Sequence, residues 1–294
     1  MHTPYDGSSK LFDIGLRPLD LHDWIDTDHK LLSYLDEKDR IAARAPEQYF
    51  MAEAGTEAAQ SEVLHLLADH LPERYPDIYQ RLGPVIEIAP AFRRAQLDAL
   101  FVPPLLIAAG LVQEDLVLMR KGDTGWRLSA AALAFPSAWD LCQKFGRPMA
   151  EIHAPIPGFG PNSRHANLIE RIFDNLRPEQ PVVRWNWSFY GDDRLFHPHS
   201  HAPDRPRFGE GERADKVFLR LERQTVRKLP VSGDILFTIR IYIDPLEAIE
   251  RRADASELAK ALSAQLQAMT PEQLDYKGLT LESDRLLKRL ATIA

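Results

Sequence analysis

The chain has 294 residues, of which 45% are apolar and 27% are charged, the composition of a globular protein with a full hydrophobic core. Its 43 acidic residues outnumber its 36 basic ones, and the net charge of −7 argues against nucleic acid or anionic lipid as the main partner. Its one cysteine, Cys142, excludes an internal disulfide, a cysteine-rich zinc site, a protein-ligated iron–sulfur cluster and a two-cysteine haem attachment.

The sequence shows neither a signal peptide nor a membrane-spanning segment. Residues 1–10 contain no apolar stretch of the kind that a signal peptide requires. The longest apolar run, residues 99–112, is broken by Pro103 and Pro104 and is too short to cross a bilayer. A lone cysteine fits a reducing compartment. We therefore predict a cytoplasmic protein without a membrane segment.

The first 110 residues are predicted to be helical and irregular. Apolar residues recur at helical spacing over residues 29–41 and 56–71, and Pro72 is expected to end the second helix. Another helix is predicted over residues 92–101.

From Glu114 onward the sequence changes to a β-type pattern. Two β-like runs at 116–119 and 126–133 flank a Gly/Asp turn and predict a hairpin. The elements predicted after it are a short helix capped by Ser137 and ending at Gly146, an ordered loop or turn at 152–159, a helix at 162–176, a strand at 182–190, a long loop at 191–215, an antiparallel strand pair at 216–223 and 235–243, and helices at 247–252, 256–268 and 284–292. This order predicts an α+β fold, an antiparallel sheet wrapped by helices at both termini.

The most conspicuous candidate ligands are the histidines of His197-Pro-His-Ser-His201. In an extended chain, alternate residues share one face, so these three imidazoles could surround one metal ion. The neighbouring prolines equally fit an exposed loop whose histidines are solvated.

His153 is a second candidate ligand. It stands between Ile152 and a run with two prolines, Ala154-Pro-Ile-Pro-Gly158, which holds the backbone rigid. A fixed ring with apolar surroundings suits a metal ligand. It also suits a histidine hydrogen-bonded within the core, and spacing alone favours that second interpretation.

Charged residues alternate along the strand predicted near residue 220. Alternation places Arg220, Glu222 and Gln224 on one face and Arg223 on the other. Because isolated buried charge is costly, such a row must either pair or face a ligand. The alternative is a solvent-facing row with Arg240 of the neighbouring strand as its partner.

Asn186 is the unexplained residue of Trp185-Asn-Trp187, since core packing accounts for both tryptophans. The chain contains no Walker loop, no dinucleotide-binding glycine motif, no Gly-x-Ser-x-Gly elbow and no His-Glu-x-x-His pair. Nothing therefore indicates nucleotide binding by those motifs or a nucleophilic hydrolase.

Several of these segments together resemble one family, the catalytic α subunits of the haem-dependent oxidative N-demethylases. The resemblance covers roughly residues 20–250 and is densest from 115 to 245. Its motifs are Phe135-Pro-Ser-Ala-Trp139, Lys144-Phe-Gly146, Ile152-His-Ala-Pro-Ile-Pro-Gly158, Asn186-Trp-Ser188, Leu195-Phe-His-Pro198, Leu221-Glu-Arg-Gln-Thr-Val-Arg-Lys-Leu-Pro230 and Phe237-Thr-Ile-Arg240. The long motif from Leu221 followed by the Phe237 strand is a specific combination.

The resemblance implies a PAS-like antiparallel sheet that binds haem b. It divides the chain into a helical extension at 1–110, a haem-binding core at 111–245 and C-terminal helices at 246–294. The implied reaction is O2-dependent oxidative N-demethylation of a small secondary amine such as dimethylamine, with release of formaldehyde. Electrons would come from a separate flavin/iron–sulfur reductase, and a folate-binding subunit would take the formaldehyde.

The resemblance also assigns roles to residues, beginning with His153 as the axial ligand of the iron. The remaining candidates fall into two groups, those expected to contact the cofactor and those expected to contact the substrate. Those for the cofactor are Arg223, Arg227 and Arg240 as partners of the haem propionates, with Asn186 and Trp187 beside it. Those for the amine are Glu222 or Asp193 as its carboxylate, helped by Tyr190, Trp185 or Trp187.

Two other functions remain open at this point. A non-catalytic PAS-type haem sensor or carrier needs the same ligand and pocket, although the sequence contains no attached kinase or DNA-binding element. A non-haem metal protein would use His197, His199 and His201. A haem absorption spectrum would distinguish the non-haem metal protein from the two haem proteins, the demethylase and the sensor or carrier.

Overall fold

The computed structural model describes residues 1–199 and 206–294, and within them two antiparallel sheets are surrounded by helices. The helices are α1 (Leu31–Arg44), α2 (Pro46–Tyr49), α3 (Glu57–Arg74), α4 (Pro104–Ala109), α5 (Leu141–Lys144), α6 (Met149–Ile152), α7 (Arg164–Asn175), α8 (Glu247–Glu250), α9 (Ala255–Gln267), α10 (Pro271–Tyr276) and α11 (Ser283–Leu290). The strands are β1 (Arg17–Pro18), β2 (Phe50–Ala52), β3 (Tyr79–Leu82), β4 (Val85–Ile88), β5 (Arg93–Gln96), β6 (Asp115–Gly122), β7 (Gly125–Ala132), β8 (Val182–Tyr190), β9 (Phe218–Lys228) and β10 (Ile235–Pro245). The predicted α+β fold is confirmed.

The larger sheet has the strand order β1-β8-β9-β10-β6-β7-β2. The predicted hairpin is β6–β7, which turns at Gly125 with a φ of +105°, a conformation that glycine adopts without strain. The predicted antiparallel pair is β9–β10, which continues to Lys228 beyond its expected end. Both predictions are confirmed, because alternation of polar and apolar residues is a strong strand signal. The expectation of a half-buried strand at β10 is wrong, since Thr238 and Arg240 are as buried as Ile239 and Ile241.

Cross-strand register divides the polar residues of this sheet between its two faces, because residues directly opposite each other share a face. Asn186 pairs with Glu222, whereas Trp185 pairs with Arg223, which in turn pairs with Arg240. The first set, which we call the site face, is Arg184, Asn186, Ser188, Arg220, Glu222 and Gln224. The second set, which we call the far face, is Trp185, Trp187, Arg223, Arg227, Arg240 and Tyr242.

Helices cover both faces of the sheet. On the site face α7 contacts β7, where the rings of Phe173 and Trp126 meet edge to face with centroids 5.9 Å apart. On the far face, the C-terminal helices form one hydrophobic cluster with Trp187, Leu219 and Leu221. Within residues 1–199 and 206–294, no helix has the length and apolar character needed to span a membrane.

The helix predicted over residues 92–101 is wrong. Arg93–Gln96 forms β5, the third strand of a small sheet in the order β3-β4-β5. Arg, Ala and Gln favour a helix locally, but pairing with β4 provides backbone partners that a short helix would lack. The neighbouring strands are only four residues long, so their alternation is too brief to recognise in the sequence.

Two predicted helix ends also need correction. Ser137 does not cap α5: the side chain of Asp140 accepts the hydrogen bond from Cys142 N at the helix start. Pro72 does not end α3, which continues to Arg74 with the proline inside its last turn. A proline near the end of a helix removes one hydrogen bond without breaking the turns before it.

Candidate functional site

His153 lies at the end of a one-turn helix, where the chain enters the proline-rich loop. Its backbone N–H donates to Met149 O at 3.0 Å as the last bond of α6. Its carbonyl accepts from Ile156 N at 2.9 Å, so the turn that follows is closed on the same residue. The backbone of His153 is therefore held on both sides.

The imidazole of His153 is half-buried and has an unsatisfied nitrogen. Its Nδ1 atom is buried, and no described residue makes a hydrogen bond to it. The nearest aromatic contact is the edge of Phe159, with ring centroids 6.4 Å apart. Burial, with the nearby charges of Lys144 and Arg184, lowers the pKa of His153 to about 4, so the ring is neutral at pH 7. Buried polar atoms nearly always have a hydrogen-bond or metal partner. The partner of this nitrogen must therefore be a group other than the described residues.

Arg184 and Lys144 are the cationic neighbours of this imidazole. Arg184 Nη2 donates to Asp13 O at 3.2 Å, but its buried Nε has no hydrogen-bond partner among the described residues. Lys144 lies over the ring of Trp139 at 4.7 Å, and burial lowers its pKa to about 8. Together they form a cationic region beside His153, and the carboxylate of Glu222 interacts favourably with both charges.

Glu222 supplies a buried carboxylate on the same face. Its Oε2 accepts from Asn186 Nδ2 at 3.2 Å and from Gln224 Nε2 at 2.6 Å. Burial acts to raise the pKa of Glu222, but a hydrogen bond from Ser137 and the nearby Arg220 charge hold it below its ordinary value. The carboxylate is therefore ionised at neutral pH.

Tyr190 borders this carboxylate and is itself almost fully buried. The Arg220 guanidinium lies over its ring at 5.2 Å, and burial raises the pKa of the Tyr190 phenol. Arg220 also donates to Ser137 Oγ at 2.9 Å and to the carbonyl of Phe135 at 2.8 Å. It thereby ties the predicted Phe135-Pro-Ser-Ala-Trp139 motif to the sheet.

The structure does not bring Arg223, Arg227 and Arg240 to His153, because all three lie on the far face. Arg223 donates to the backbone carbonyls of residues 23 and 24, and Arg240 donates to the carbonyl of residue 26. Arg227 lies over the ring of Trp24 at 4.4 Å. These arginines hold the segment that precedes α1 onto the sheet.

Trp187 and Asp193 make no described contact with the imidazole. Trp187 is on the far face, where it meets Tyr5 edge to face at 6.2 Å and is 3% exposed. Asp193 is exposed in the loop after β8. Of the predicted site residues, the sheet brings Glu222, Asn186 and Tyr190 together on the site face.

The histidine-rich loop is only partly within the described chain, since His201 lies outside it. His197 Nε2 is 3.2 Å from Asp192 Oδ1 and its ring meets Tyr190 at 4.7 Å, while His199 is exposed. Among the described residues, no three His, Cys, Asp or Glu side chains converge as metal ligands.

Sequence reasoning missed Arg184 and Lys144 as charged neighbours of His153. It placed Gln224 on the same face as Glu222 but did not identify the hydrogen bond between them. The sequence could have indicated Arg184, because it is two residues from Asn186 on β8 and therefore lies on the same face of the strand. Lys144 stands within a recognised motif but on another element, so only the packing of α5 brings it near His153.

A known protein family matches most of the chain. The family model for the haem-dependent oxidative N-demethylase, alpha subunit-like proteins matches residues 15–287, and the chain belongs to this family. The family description indicates a haem-dependent oxidoreductase and, as an alpha subunit, a component of a multi-subunit complex. The resemblance found in the sequence is thereby confirmed over a longer range than its motifs cover.

Proposed function

We propose that this member of the family binds haem b through His153 and carries out O2-dependent N-demethylation of a small secondary amine such as dimethylamine, with release of formaldehyde. The observation that carries the proposal is the buried Nδ1 of His153, for which the described part of the chain supplies no hydrogen-bond partner. Family membership supports the haem dependence and the oxidative reaction class. The antiparallel sheet with helical additions at both termini supports the PAS-like interpretation. Strands β1 and β2, which belong to the first 110 residues, extend the two edges of this sheet, so the proposed extension at 1–110 is continuous with the core.

The residues around His153 fit a haem better than a protein-only metal site. Haem needs one axial side chain, because the porphyrin supplies four nitrogen ligands. Within the described residues His153 has an unsatisfied ring nitrogen, and no three metal-binding side chains converge. A second buried ring nitrogen without a hydrogen bond, His70 Nε2, lies beside Trp24 on the side of the sheet away from Glu222. Hydrophobic side chains near His153, Ile152 and Ile156, are partly buried and suit an apolar cofactor.

Arg184 and Lys144 are our candidates for the haem propionates, in place of the far-face arginines. Guanidinium groups bind carboxylates with paired hydrogen bonds, and Arg184 Nε has none within the described residues. Two cations beside His153 would balance the two propionate charges.

We expect Arg184→Met to weaken haem binding by about tenfold, the effect of losing one charge-assisted hydrogen bond. Haem titration of the apoprotein, followed by absorption, measures the affinity. Arg177→Met is the matched control, because Arg177 is exposed and its side chain lies outside this cluster. Equal affinities for both variants would contradict the propionate assignment.

Haem b held there supplies the iron chemistry that activates O2, while the chain positions the amine. Glu222 is the carboxylate that would accept a hydrogen bond from the ammonium group. Asn186 and Gln224 hold its Oε2 atom, so its orientation does not depend on the substrate. The phenol rings of Tyr190 and Tyr276 lie near this carboxylate and would limit the size of the amine.

Electron supply is proposed to come from an external flavin/iron–sulfur reductase, and formaldehyde to pass to a folate-binding subunit. Membership in an alpha-subunit family supports a multi-subunit complex. Cys142 is the one cysteine of the chain, so the chain cannot ligate an iron–sulfur cluster with its own cysteines.

The test is formaldehyde release from dimethylamine by haem-loaded protein in air with an artificial reductant. We expect Glu222→Gln to lower kcat/KM by about 100-fold, because the amide no longer pairs with the ammonium charge, while the haem spectrum is retained. Glu179→Gln, at an exposed position, is the control. Haem binding without turnover of any small secondary amine would favour the sensor or carrier function instead.

A further inference from the structure

The C-terminal part of the chain reaches the site face through Lys277. This residue follows α10, whose start is set by a capping box between Thr270 and Gln273. Gly278 then adopts a φ of +63°, which lets the chain turn away immediately after the lysine. The Lys277 side chain is 8% exposed and extends to β8.

All three donors of the Lys277 ammonium group are used on β8. Its Nζ donates to Asn186 Oδ1 at 3.2 Å, to Trp187 O at 3.0 Å and to Ser188 Oγ at 2.9 Å. An ammonium group has three N–H bonds and accepts none, so no donor remains for another ligand.

These contacts determine which way the Asn186 amide points. A lysine can only donate, so the atom facing it must be the amide oxygen. The amide nitrogen is then directed at Glu222, where Nδ2 donates to Oε2 at 3.2 Å. If the amide were reversed, its oxygen would face the Glu222 carboxylate and its NH2 group would face the Lys277 ammonium group, and neither pair could form a hydrogen bond.

We propose that Lys277 is a positioning residue that fixes the Asn186 amide against Glu222, through the hydrogen-bonded relay Lys277–Asn186–Glu222. The inference rests on the proposed function, in which Glu222 binds the amine. It assigns the C-terminal segment a role in the site, in addition to covering the far face.

The relay also has an electrostatic consequence. Burial lowers the pKa of Lys277 to about 8, and the charge of Lys277 helps to hold the pKa of Glu222 below its ordinary value. The relay is complete where Lys277 is protonated and Glu222 is ionised. The charged and titratable groups that face Glu222 are Arg220, Lys277, Lys144, Arg184, Tyr190 and Tyr276.

The first measurement is the affinity of the haem-loaded protein for dimethylammonium by calorimetry between about pH 3.5 and 9, a range that includes the protonation of Glu222. In the native protein we expect binding to weaken as Lys277 deprotonates above about pH 8. Lys277→Met should weaken binding at pH 7 by about tenfold and move the acid limb, where Glu222 protonates, to higher pH. Lys288→Met, at an exposed position on α11, should match the native profile.

A second variant tests the relay without removing Lys277, in case Lys277→Met fails to fold. Asn186→Asp leaves Lys277 in place but puts a carboxylate beside Glu222, and it should raise the acid limb in the same direction. A lower melting temperature for Lys277→Met with an unchanged acid limb would mean that Lys277 only anchors the C-terminal segment, and would overturn the proposal.

A direct readout separates this inference from the proposed function. Infrared titration of the Glu222 carboxyl band, assigned by its loss in Glu222→Gln, reports the relay without any amine. We expect a higher midpoint in Lys277→Met than in the native protein. If the native protein binds no amine but the midpoint shifts, the proposed function fails and the relay stands; an unshifted midpoint overturns the relay itself.

Discussion

His153→Ala is expected to abolish tight haem binding while leaving the apoprotein folded. Loss of groups that merely support a metal ligand costs about 10–100-fold in affinity, so loss of the ligand itself should cost at least about 100-fold. The fold should tolerate the change, because Nδ1 of His153 has no hydrogen bond to lose within the described chain. Absorption of the haem-titrated protein and the melting temperature of the apoprotein measure the two effects.

His165→Ala is the matched control for this substitution. His165 is in the first turn of α7, directly after the loop, and its ring stacks on Phe159 with centroids 4.4 Å apart. Its Nδ1 already donates to Gly158 O at 3.0 Å, so it is a satisfied structural histidine. We expect it to retain the native haem spectrum. A native spectrum in His153→Ala, or loss of haem in the control alone, would contradict the ligand assignment.

Arg240→Met is expected to destabilise the fold by about 3–5 kcal/mol and to leave haem affinity unchanged. Arg240 is fully buried, with Nη2 3.0 Å from Asp28 Oδ2 and its guanidinium over the rings of Tyr34 and Tyr242. Without it, the buried carboxylate of Glu114 loses its main favourable charge. Denaturant unfolding of the apoprotein measures the loss.

The contrast with Arg184→Met decides which arginines serve the cofactor. Arg251→Met, at an exposed position near α8, is the control for stability. If Arg240→Met lowers haem affinity while stability is unchanged, the far-face arginines bind the propionates, as the family resemblance implied. The site-face assignment would then be wrong.

The local pattern was sufficient to predict the strands near the site. Thr238 and Arg240 alternate with buried isoleucines along β10, and the same period separates Glu222 from Arg223 on β9. Pairing in the structure confirms that these two neighbours face opposite sides of the sheet. Alternation is a property of the extended backbone itself, so it is visible without any tertiary contact.

The small sheet could not be predicted in the same way. Its strands β3, β4 and β5 are four residues long, and β5 is composed of residues with helical propensity. Each strand is stable only because its neighbour supplies hydrogen-bond partners, and single-sequence propensity does not include that contribution.

The amino-acid sequence by itself determined the fold class, the alternation of the central strands and the rigid turn that carries His153. The tertiary structure decided which sheet face that turn approaches. Arg223 reaches its carbonyl partners across 199 residues of chain, and Lys277 reaches Asn186 across 91. A periodic pattern separates two faces but contains no information about which distant segment will cover each one, and that choice assigns Arg184, rather than Arg240, to the candidate haem site.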